Sequence, residues 1–489
     1  MKTKLIFLVM ALSTLFALDC QGRAVRNSIV VISDVHLLSP DLITPGRAID
    51  RADAGDSKMM AMSDAIMNSL TDSIIALNPK LVLLTGDLTN NGERLSHERM
   101  AQYLDRMAAQ GIQPLVIPGN HDCNNPYAKR YEGENTLSVA TVTREEFAQI
   151  YHHFGYGEQS QRDPASLSYC CEPIKGVVVI GIDSNMDEMN QLTSRGDSVD
   201  SYHNGGRIKP ETLQWVIDRA TEASQQGKLV IAMMHHHLVQ HFDQEDRLLA
   251  NYIVKNHDSI ALQLMQAGVH TIFTGHLHVT DAAYFHNDAR TDSLVEVATG
   301  SAICYPFALR TATINNKKKT LDINTRWLNS TDVCPELREQ GRQRIINSTP
   351  GMAAMLSGKA WQKLGGRMNQ LKAMLAMGGG QANLPETPQQ ATQLVLRHLS
   401  EVLSRALLAV VEGNEQELDV ESIINDGKQG IRAMIAEVAP DQADNLWEFF
   451  LNEVYPKLDP LVRSILEDRN AVGTPLESHT DDLRFTVKL

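Results

Sequence analysis

Five short polar clusters in this sequence each follow a run of apolar residues, and each carries side chains of the types that bind metal ions. The clusters are Asp34-Val35-His36, Gly86-Asp87, Gly119-Asn120-His121-Asp122, His235-His236-His237 and Gly275-His276-Leu277-His278. Imidazole nitrogens and carboxylate oxygens are ligands of Mn, Fe, Zn and Ni. The chemistry that these residue types favour is therefore metal-dependent.

Each cluster alone is weak evidence, because an ordinary loop explains any one of them. Asp34 and His36 lie two residues apart, so in an extended segment their side chains point the same way and can bind one ion. Gly119 allows a sharp turn, Asn120 offers a neutral amide oxygen, and His121 is then free to reach a substrate. The prediction rests on the ordered set of five clusters.

The apolar runs before these clusters predict the strands that position them. The run at residues 81–84 does not alternate with polar residues, which is typical of a strand covered on both faces in a parallel sheet. Strands and helices are predicted to alternate in the first third of the chain, at residues 28–33, 58–77, 81–84, 94–110 and 114–117. Because ligands bind at the carboxyl ends of parallel strands, Asp87 is expected at the middle of the site.

The second part of the same domain is predicted to be rich in strands. Further strands are predicted at residues 166–171, 177–182, 229–234 and 270–274. Four more are predicted to form an antiparallel set, as a second sheet that completes the catalytic layer, at residues 282–285, 294–299, 310–314 and 320–327. A long, irregular and partly helical insertion is predicted at residues 124–164, and a rim loop at residues 184–206. Long insertions at the ligand end of such a sheet often determine substrate choice.

The sequence pattern changes near residue 332, from strands to amphipathic helices. The clearest helix is predicted at residues 387–412, with Thr387 as its cap and Pro388 in its first turn. Residues 331–489 are therefore predicted to form a helical C-terminal domain without a catalytic cluster. The alternating segment at residues 483–487 is a candidate for a strand that returns to the main sheet.

The length and the charge of the chain limit its class. A chain of 489 residues favours two domains. The net charge of -14 argues against a general nucleic-acid surface or anionic-membrane surface, because such surfaces need clustered Lys and Arg. No pair of cysteines has CxxC spacing, so a zinc-thiolate site is not indicated.

The N-terminus has the pattern of an export signal. Lys2 and Lys4 precede an apolar segment at residues 5–18, which is too short for a comfortable membrane span. We expect residues 1–22 to be a signal peptide, and the protein to be periplasmic or an outer-membrane lipoprotein. Cys20 stands where bacterial lipoproteins carry their lipid, but Asp19 occupies a position where that pattern has a small residue. A soluble product and a lipid anchor at Cys20 both stay open.

The ordered set of clusters resembles the calcineurin-like metallophosphoesterase superfamily, over about residues 28–327. The resemblance implies a four-layer α/β/β/α sandwich for the domain at residues 28–330, followed by the helical domain. It also implies a centre of two metal ions. Seven side chains would be the ligands: Asp34, His36 and His278 for the first ion, Asn120, His235 and His276 for the second, and Asp87 as the bridge between them.

The same resemblance implies a role for His121, beside the phosphate, as electrostatic stabiliser or proton donor to the leaving oxygen. His235 is assigned as the first histidine of its cluster, although His237 stands where many family members have proline. His236, His237 and His241 are expected to be structural or to lie at the rim.

The expected function is metal-dependent hydrolysis of a phosphomonoester or phosphodiester, and the expected partner is that phosphate-ester substrate. Two divalent or trivalent ions (Mn, Fe, Zn or Ni) about 3.5–4 Å apart neutralise the phosphate charge and make hydroxide available near neutral pH. Hydrolysis of a pyrophosphate bond by the same chemistry is one alternative. A non-catalytic binding protein, in which the helical domain does the work, is the other.

Overall fold

The computed structural model of the chain describes residues 28–54, 56–190, 203–364, 370, 373, 383–467 and 481–489. The predicted signal peptide at residues 1–22, which includes Cys20, lies outside these residues. Among the helices of the described ranges, none is long and apolar enough to cross a membrane.

The strands form three sheets. In chain order the strands are β1 (Ser28–Ile32), β2 (Ile43–Thr44), β3 (Leu81–Leu84), β4 (Gln113–Val116), β5 (Lys129–Glu132), β6 (Asn135–Ser138), β7 (Gln161–Arg162), β8 (Tyr169–Ile174), β9 (Val177–Ile182), β10 (Leu229–Met234), β11 (Thr271–Thr274), β12 (Asp281–His286), β13 (Ser293–Ala298), β14 (Ala308–Asn315), β15 (Thr320–Trp327) and β16 (Arg484–Lys488). A six-stranded sheet has the order β16-β15-β14-β1-β3-β4, and a seven-stranded sheet has the order β12-β13-β11-β10-β9-β8-β7. The small third sheet has the order β2-β5-β6.

The α-helices fall into two groups, before and after β15. The first group is α1 (Arg47–Ala54), α2 (Ser63–Leu77), α3 (Arg94–Ala108), α4 (Arg144–Ile150), α5 (Pro210–Gln225), α6 (Glu245–Leu248) and α7 (His257–Gln266). The second group is α8 (Leu337–Leu364), α9 (Pro388–Glu412), α10 (Val420–Val438), α11 (Ala443–Phe449) and α12 (Tyr455–Leu466).

The two large sheets share one core, and helices cover their outer sides. Successive residues of a strand point to opposite faces, and β9 shows this directly. Val177 and Val179 belong to the core that also contains β1, β3, α2 and α3, whereas Val178 and Ile180 belong to a second core with α5 and α7. The predicted four-layer α/β/β/α sandwich is therefore confirmed.

Parallel pairing brings the predicted polar clusters to one edge. In the six-stranded sheet β1, β3 and β4 are parallel and in register, so Asp34, Asp87 and Asn120 all follow carboxyl ends of adjacent strands. In the seven-stranded sheet β10 pairs parallel with β11, which places His235 beside His276. The site thus lies where the ends of two facing sheets meet.

The predicted single antiparallel set of four strands is wrong, because its members divide between the two sheets. β12 pairs antiparallel with β13, but β13 pairs parallel with β11 in the seven-stranded sheet. β14 and β15 pair antiparallel in the other sheet, where β14 also borders β1. The alternation of polar and apolar residues along a short strand indicates which residues share a face, but it does not specify the neighbouring strand. The pattern therefore could not assign the four strands to different sheets.

The helices after β15 pack on each other and on the sandwich. α8 and α9 run antiparallel, as the hydrogen bonds Thr349–Ser404 at 2.8 Å and Ser357–Thr392 at 2.6 Å show. Leu408 of α9 belongs to the main core of the sandwich. β16 pairs antiparallel with β15, so the last described segment lies at the edge of the six-stranded sheet.

The helix α10 was missed by sequence reasoning because it contains two glycines, which disfavour helix. Asp419 caps it by accepting a hydrogen bond from Ser422 N. A Cβ at Gly430 would lie 2.5 Å from the carbonyl oxygen of His398 in α9. This glycine therefore lets two helices approach closely, which explains its place inside a helix.

Candidate metal centre

The first group of predicted ligands meets at one point. Asp34 Oδ1 lies 3.3 Å from His278 Nε2 and 3.8 Å from His36 Nε2, and the two imidazole nitrogens are 3.2 Å apart. Asp34 Oδ1 is buried and has no hydrogen-bond partner within the described ranges, although a buried carboxylate oxygen without a partner is costly. A shared cation would satisfy this oxygen, so the donor set fits a metal ion.

The second group meets beside the first. His235 Nε2 lies 3.0 Å from Asn120 Oδ1 and 3.1 Å from His276 Nδ1. These two nitrogens and the amide oxygen form a compact set of donors. All three side chains are buried, so water cannot compete freely for them.

Asp87 lies between the two groups. Its Oδ2 is 3.6 Å from His36 Nε2 in the first group and 3.3 Å from His235 Nε2 in the second. Its Oδ1 is held by a 2.8 Å hydrogen bond from the backbone N–H of His121. One carboxylate oxygen is thus directed to both groups of donors at once.

Hydrogen bonds outside the site orient the imidazole rings. His235 Nδ1–H donates to Thr85 O at 2.9 Å, and His276 Nε2–H donates to Asn251 O at 3.1 Å. Each bond places one N–H of the ring away from the site, so the other ring nitrogen faces the site and can bind a metal ion once it is deprotonated, as expected of metal-binding histidines. Cys304 Sγ lies 3.6 Å from His278 Nδ1 and plays the corresponding part there.

The backbone at the site is tightly constrained. Five ligand residues have positive φ, which is uncommon outside glycine and is found where a site dictates backbone shape: Asp34, His36, Asp87, His276 and His278. A Cβ at Gly119 would lie 2.2 Å from Asp87 Oδ1, and one at Gly275 would lie 2.4 Å from Asp34 Oδ2. The glycines before the ligands are therefore required by close approach.

His121 faces the same space, and one of its ring nitrogens lies within 4.8 Å of donor atoms of His36 and Asp87. Its Nδ1 donates to Asn90 O at 2.7 Å, and its Nε2 lies 4.0 Å from Asp87 Oδ2. Its ring contacts that of His36 edge to face, with 4.8 Å between centroids. The side chain is 23% exposed, so it can reach a substrate in the cavity.

The charges of the site are coupled. Burial opposes a charge on His235, but the Asp87 carboxylate outweighs burial and raises the pKa of His235 to about 9. Burial likewise opposes a charge on Asp87, and His235 holds the pKa of Asp87 well below its usual value. Burial lowers the pKa of His36 and of His121, and the charge of Lys58 lowers both further. A cation at His235 would displace its proton and take over the pairing with Asp87.

The site opens into a cavity of about 1030 Å³. Its floor contains six of the predicted site residues: His36, Asp87, Asn120, His121, His276 and His278. Its other walls contain Lys58, Tyr252 and Cys304 of the sandwich, and Arg344, Ile345, Leu407 and Val411 of helices α8 and α9. Sequence reasoning missed this second set, because a lysine at the start of a predicted helix and apolar positions of an amphipathic helix carry no distinguishing signal.

The remaining polar residues of the clusters support the frame. Asp122 accepts from the backbone N–H of Leu88, Thr89 and Gly119, and so holds two loops together. His236 is held between Ser184 Oγ at 2.8 Å and Asn204 O at 3.0 Å. Neither side chain points into the donor groups.

Comparison with known proteins identifies the family. The family model described as calcineurin-like phosphoesterase matches residues 28–280. The cAMP/cGMP dual specificity phosphodiesterase of Mycobacterium tuberculosis is 22% identical over 275 residues, which cover 56% of this chain and 66% of that protein. Among solved structures, a dimetal phosphatase from Danio rerio is 12% identical with a TM-score of 0.43, covering 62% of this chain and 96% of that chain. The purple acid phosphatase of yellow lupin (Lupinus luteus) is 11% identical with a TM-score of 0.36, and the match covers 62% of this chain and 51% of that chain.

The matched residues are more than half of the chain. They include all seven side chains of the two donor groups, the first of which is Asp34 and the last His278. Residues 28–280 are thus a metallophosphoesterase domain, a hydrolase that acts on phosphoester bonds. The resemblance predicted from the polar clusters is confirmed, and the chain belongs to the calcineurin-like phosphoesterase family.

Proposed function

We propose that this protein hydrolyses a phosphate ester with a dinuclear metal centre. Three side chains hold each ion and one bridges them: Asp34, His36 and His278 for the first, Asn120, His235 and His276 for the second, and Asp87 between them. The position of Asp87 Oδ2, within 3.6 Å of a nitrogen of each group, carries this proposal. The mixture of imidazole, carboxylate and amide donors suits Mn, Fe, Zn or Ni.

The bound ions would neutralise the phosphate charge and lower the pKa of water. The protein supplies a proton donor beside them. His121 is held by Asn90 O so that Nε2 faces the cavity, where the leaving oxygen of a substrate would lie. Because burial lowers the pKa of His121, its protonated form is a stronger acid than an exposed imidazolium. We therefore propose that His121 donates a proton to the leaving oxygen.

Lys58 is proposed to attract the anionic substrate. It lines the cavity, and its charge acts on both His36 and His121. Asp56 Oδ2, 3.5 Å away, holds the ammonium group near the rim. The Lys58 ammonium group would bind phosphate oxygens that the two metal ions do not contact.

The shape of the cavity favours a substrate larger than phosphate itself. The volume of about 1030 Å³ lies at the upper end of the range for small-molecule sites. Ile345, Leu407 and Val411 give one wall an apolar surface. We propose a phosphodiester with an organic group that packs on α8 and α9, so the helical part of the chain selects the substrate. The name of the mycobacterial relative makes cyclic nucleotides the first natural esters to test.

The test is turnover by the purified full chain with added Mn. An aryl phosphate, a bis-aryl phosphate, a cyclic nucleotide and pyrophosphate would be compared. We expect the bis-aryl phosphate to be hydrolysed, and Asp87→Asn to lower kcat/KM by about a thousandfold or more, which is about 4 kcal/mol of transition-state stabilisation.

The matched control is Asp163→Asn, which also changes a buried carboxylate. Asp163 bonds to Ala165 N, Ser166 Oγ and Thr212 Oγ1, away from the donor groups. Its variant is expected to keep its turnover. Full activity in Asp87→Asn, or no hydrolysis of any ester by the wild type with Mn, Fe, Zn or Ni, would refute the proposal.

A further inference from the structure

A second cluster of metal-binding side chains lies behind the catalytic groups. His237 and His241 follow β10, and Glu296 is in β13. One donor atom of each lies within 4.8 Å of those of the other two. His237 and Glu296 have no exposed surface, and His241 is 4% exposed. The cluster is therefore closed to solvent.

Both histidines are oriented by carboxylates. His237 Nδ1 bonds to Glu245 Oε1 at 2.8 Å, and His241 Nδ1 bonds to Asp281 Oδ2 at 2.8 Å. Each pairing directs Nε2 toward the centre of the cluster. A carboxylate bonded to the far nitrogen of an imidazole is a recurrent support for metal-bound histidine.

Glu296 is fixed in a way that leaves one oxygen available. Its Oε2 accepts the backbone N–H of Leu238 at 2.7 Å and of Val239 at 2.6 Å. Its Oε1 accepts the hydroxyl of Thr274 at 2.6 Å and lies 3.2 Å from His241 Nε2. Oε1 therefore faces the two imidazoles with a lone pair to spare.

Protonation accounts for the contact of His241 with Glu296 but not for His237: burial opposes a charge on His241, and the carboxylates of Asp281 and Glu296 outweigh burial and raise the pKa of His241. Three carboxylates, those of Glu245, Asp281 and Glu296, surround the two imidazoles. Two protons or one dication would supply the same positive charge. However, His237 Nε2 is buried and has no hydrogen-bond partner among the residues that the structure describes. An N–H at His237 Nε2 would be a buried donor without an acceptor, whereas a cation would use the lone pair of that nitrogen.

We propose that His237, His241 and Glu296 bind a third divalent metal ion of the zinc type. Zinc bonds of about 2.0–2.1 Å in tetrahedral geometry place neighbouring donors about 3.3 Å apart. The 3.2 Å between His241 Nε2 and Glu296 Oε1 matches that spacing. Two histidines and one glutamate are the three protein ligands of some catalytic zinc sites, but the burial of this cluster leaves no access for a substrate.

This ion is structural, and it holds the frame of the catalytic centre. His237 is two residues after His235, and Thr274, which bonds to Glu296, is two residues before His276. The segment between His241 and Val254 supplies Asn251 O, which orients His276. The ion therefore joins the segments that position the ligands of one catalytic ion.

The experiment counts zinc ions per chain in the full-length protein after equilibration with zinc and removal of free metal. The wild type and Glu296→Gln would be compared with His97→Gln. His97 is a buried histidine outside both clusters, bonded to Tyr151 Oη and Asp122 O. We expect three ions per chain in the wild type and His97→Gln, and two in Glu296→Gln. The readout is the loss of one ion, which does not depend on whether the catalytic groups bind two.

An equal count in the wild type and Glu296→Gln overturns the proposal. If Glu296→Gln fails to fold, anomalous diffraction at the zinc edge from wild-type crystals grown with zinc decides. A peak between His237 Nε2, His241 Nε2 and Glu296 Oε1 is the expected result. A water molecule or no peak at that place rejects the third ion.

Discussion

Two groups of histidines diverge from the end of β10, and they use similar donors in different surroundings. His235 enters the catalytic groups, which border a cavity where His121 and His278 are each 23% exposed. His237 enters the closed cluster, where its side chain is 0% exposed and that of His241 is 2% exposed. The two groups have similar ligand types but differ in whether solvent and substrate can reach them. We infer that this accessibility distinguishes the proposed catalytic centre from the proposed structural site.

The supports of the two groups differ as well. Backbone carbonyls of Thr85 and Asn251 orient the catalytic histidines, whereas carboxylates of Glu245 and Asp281 orient those of the closed cluster. A carboxylate adds negative charge and raises the basicity of the ring, so it favours tight retention of a cation. Carbonyl support leaves the catalytic centre less negative, which suits the approach of an anionic ester.

The largest effect that separates the groups is expected for His121→Asn. Loss of the proton donor should lower kcat by about 10²–10⁴-fold, because that is the usual contribution of a positioned acid. The metal content should stay that of the wild type, since His121 is not one of the seven proposed ligands. Steady-state kinetics on an aryl ester, with metal analysis of the same sample, measures both.

The control for this variant is His270→Asn, whose Nδ1 contacts Ser293 O outside both clusters. It is expected to keep wild-type kcat. A drop in metal content in His121→Asn would instead show that this side chain is a ligand.

A smaller effect is expected for Gly119→Ala. The new Cβ would lie 2.2 Å from Asp87 Oδ1, so the bridging carboxylate must move. A displacement near 1 Å in a catalytic group costs about 10²-fold in kcat/KM. The ion bound by His237, His241 and Glu296 should be unaffected. Any metal that the variant loses should therefore come from the dinuclear site, and metal analysis would show a partial loss of metal, not a complete one.

Gly358→Ala is the matched control, because no atom of the described residues lies within 4 Å of a Cβ at that helical glycine. It is expected to leave activity unchanged and to raise the free energy of unfolding by about 0.5–1 kcal/mol. Wild-type kinetics in Gly119→Ala would mean that Asp87 does not need its present position.

The sequence predicts the strands of this fold better than their partners. β10 and β15 begin and end at the predicted residues, since a continuous apolar run and a regular alternation are local signals. The separation of β13 from β14 was not predictable, because both segments satisfy the same pattern and only the packing of the two sheets assigns them.

The two histidine groups differ in the same way. Glycines mark the strand ends that carry Asp87, Asn120, His276 and His278, so residue type and order were enough to select side chains that the structure brings together. The closed cluster combines His237, which is hidden in a run of three, with His241 in a loop and Glu296 in an apolar strand. A charged residue within an apolar strand is a signal of a buried partner, but the identity of that partner requires the fold.

The smallest effect, and the sharpest test of the closed cluster, is expected for Thr274→Val. The valine removes the 2.6 Å hydrogen bond to Glu296 Oε1 while nearly keeping the shape of the side chain. A hydrogen bond to a charged group contributes about 1.5–3 kcal/mol, so the free energy of unfolding should fall by that amount. Affinity for the third ion should fall about 10–100-fold, because supporting residues affect metal binding to that extent. Denaturant unfolding and zinc titration measure the two quantities.

Thr271→Val provides the contrast within the same strand. Its hydroxyl donates to the carbonyl oxygen of Lys488 at 3.2 Å, so its loss removes a bond to a neutral group. It should cost about 1 kcal/mol and leave zinc affinity unchanged. Turnover at a saturating zinc concentration should stay at the wild-type level in both variants, because neither threonine lines the cavity and the third site is then filled. If the two variants bind zinc equally well, Glu296 is not held as a ligand by Thr274, and the closed cluster loses its distinction from an ordinary buried ion-pair network.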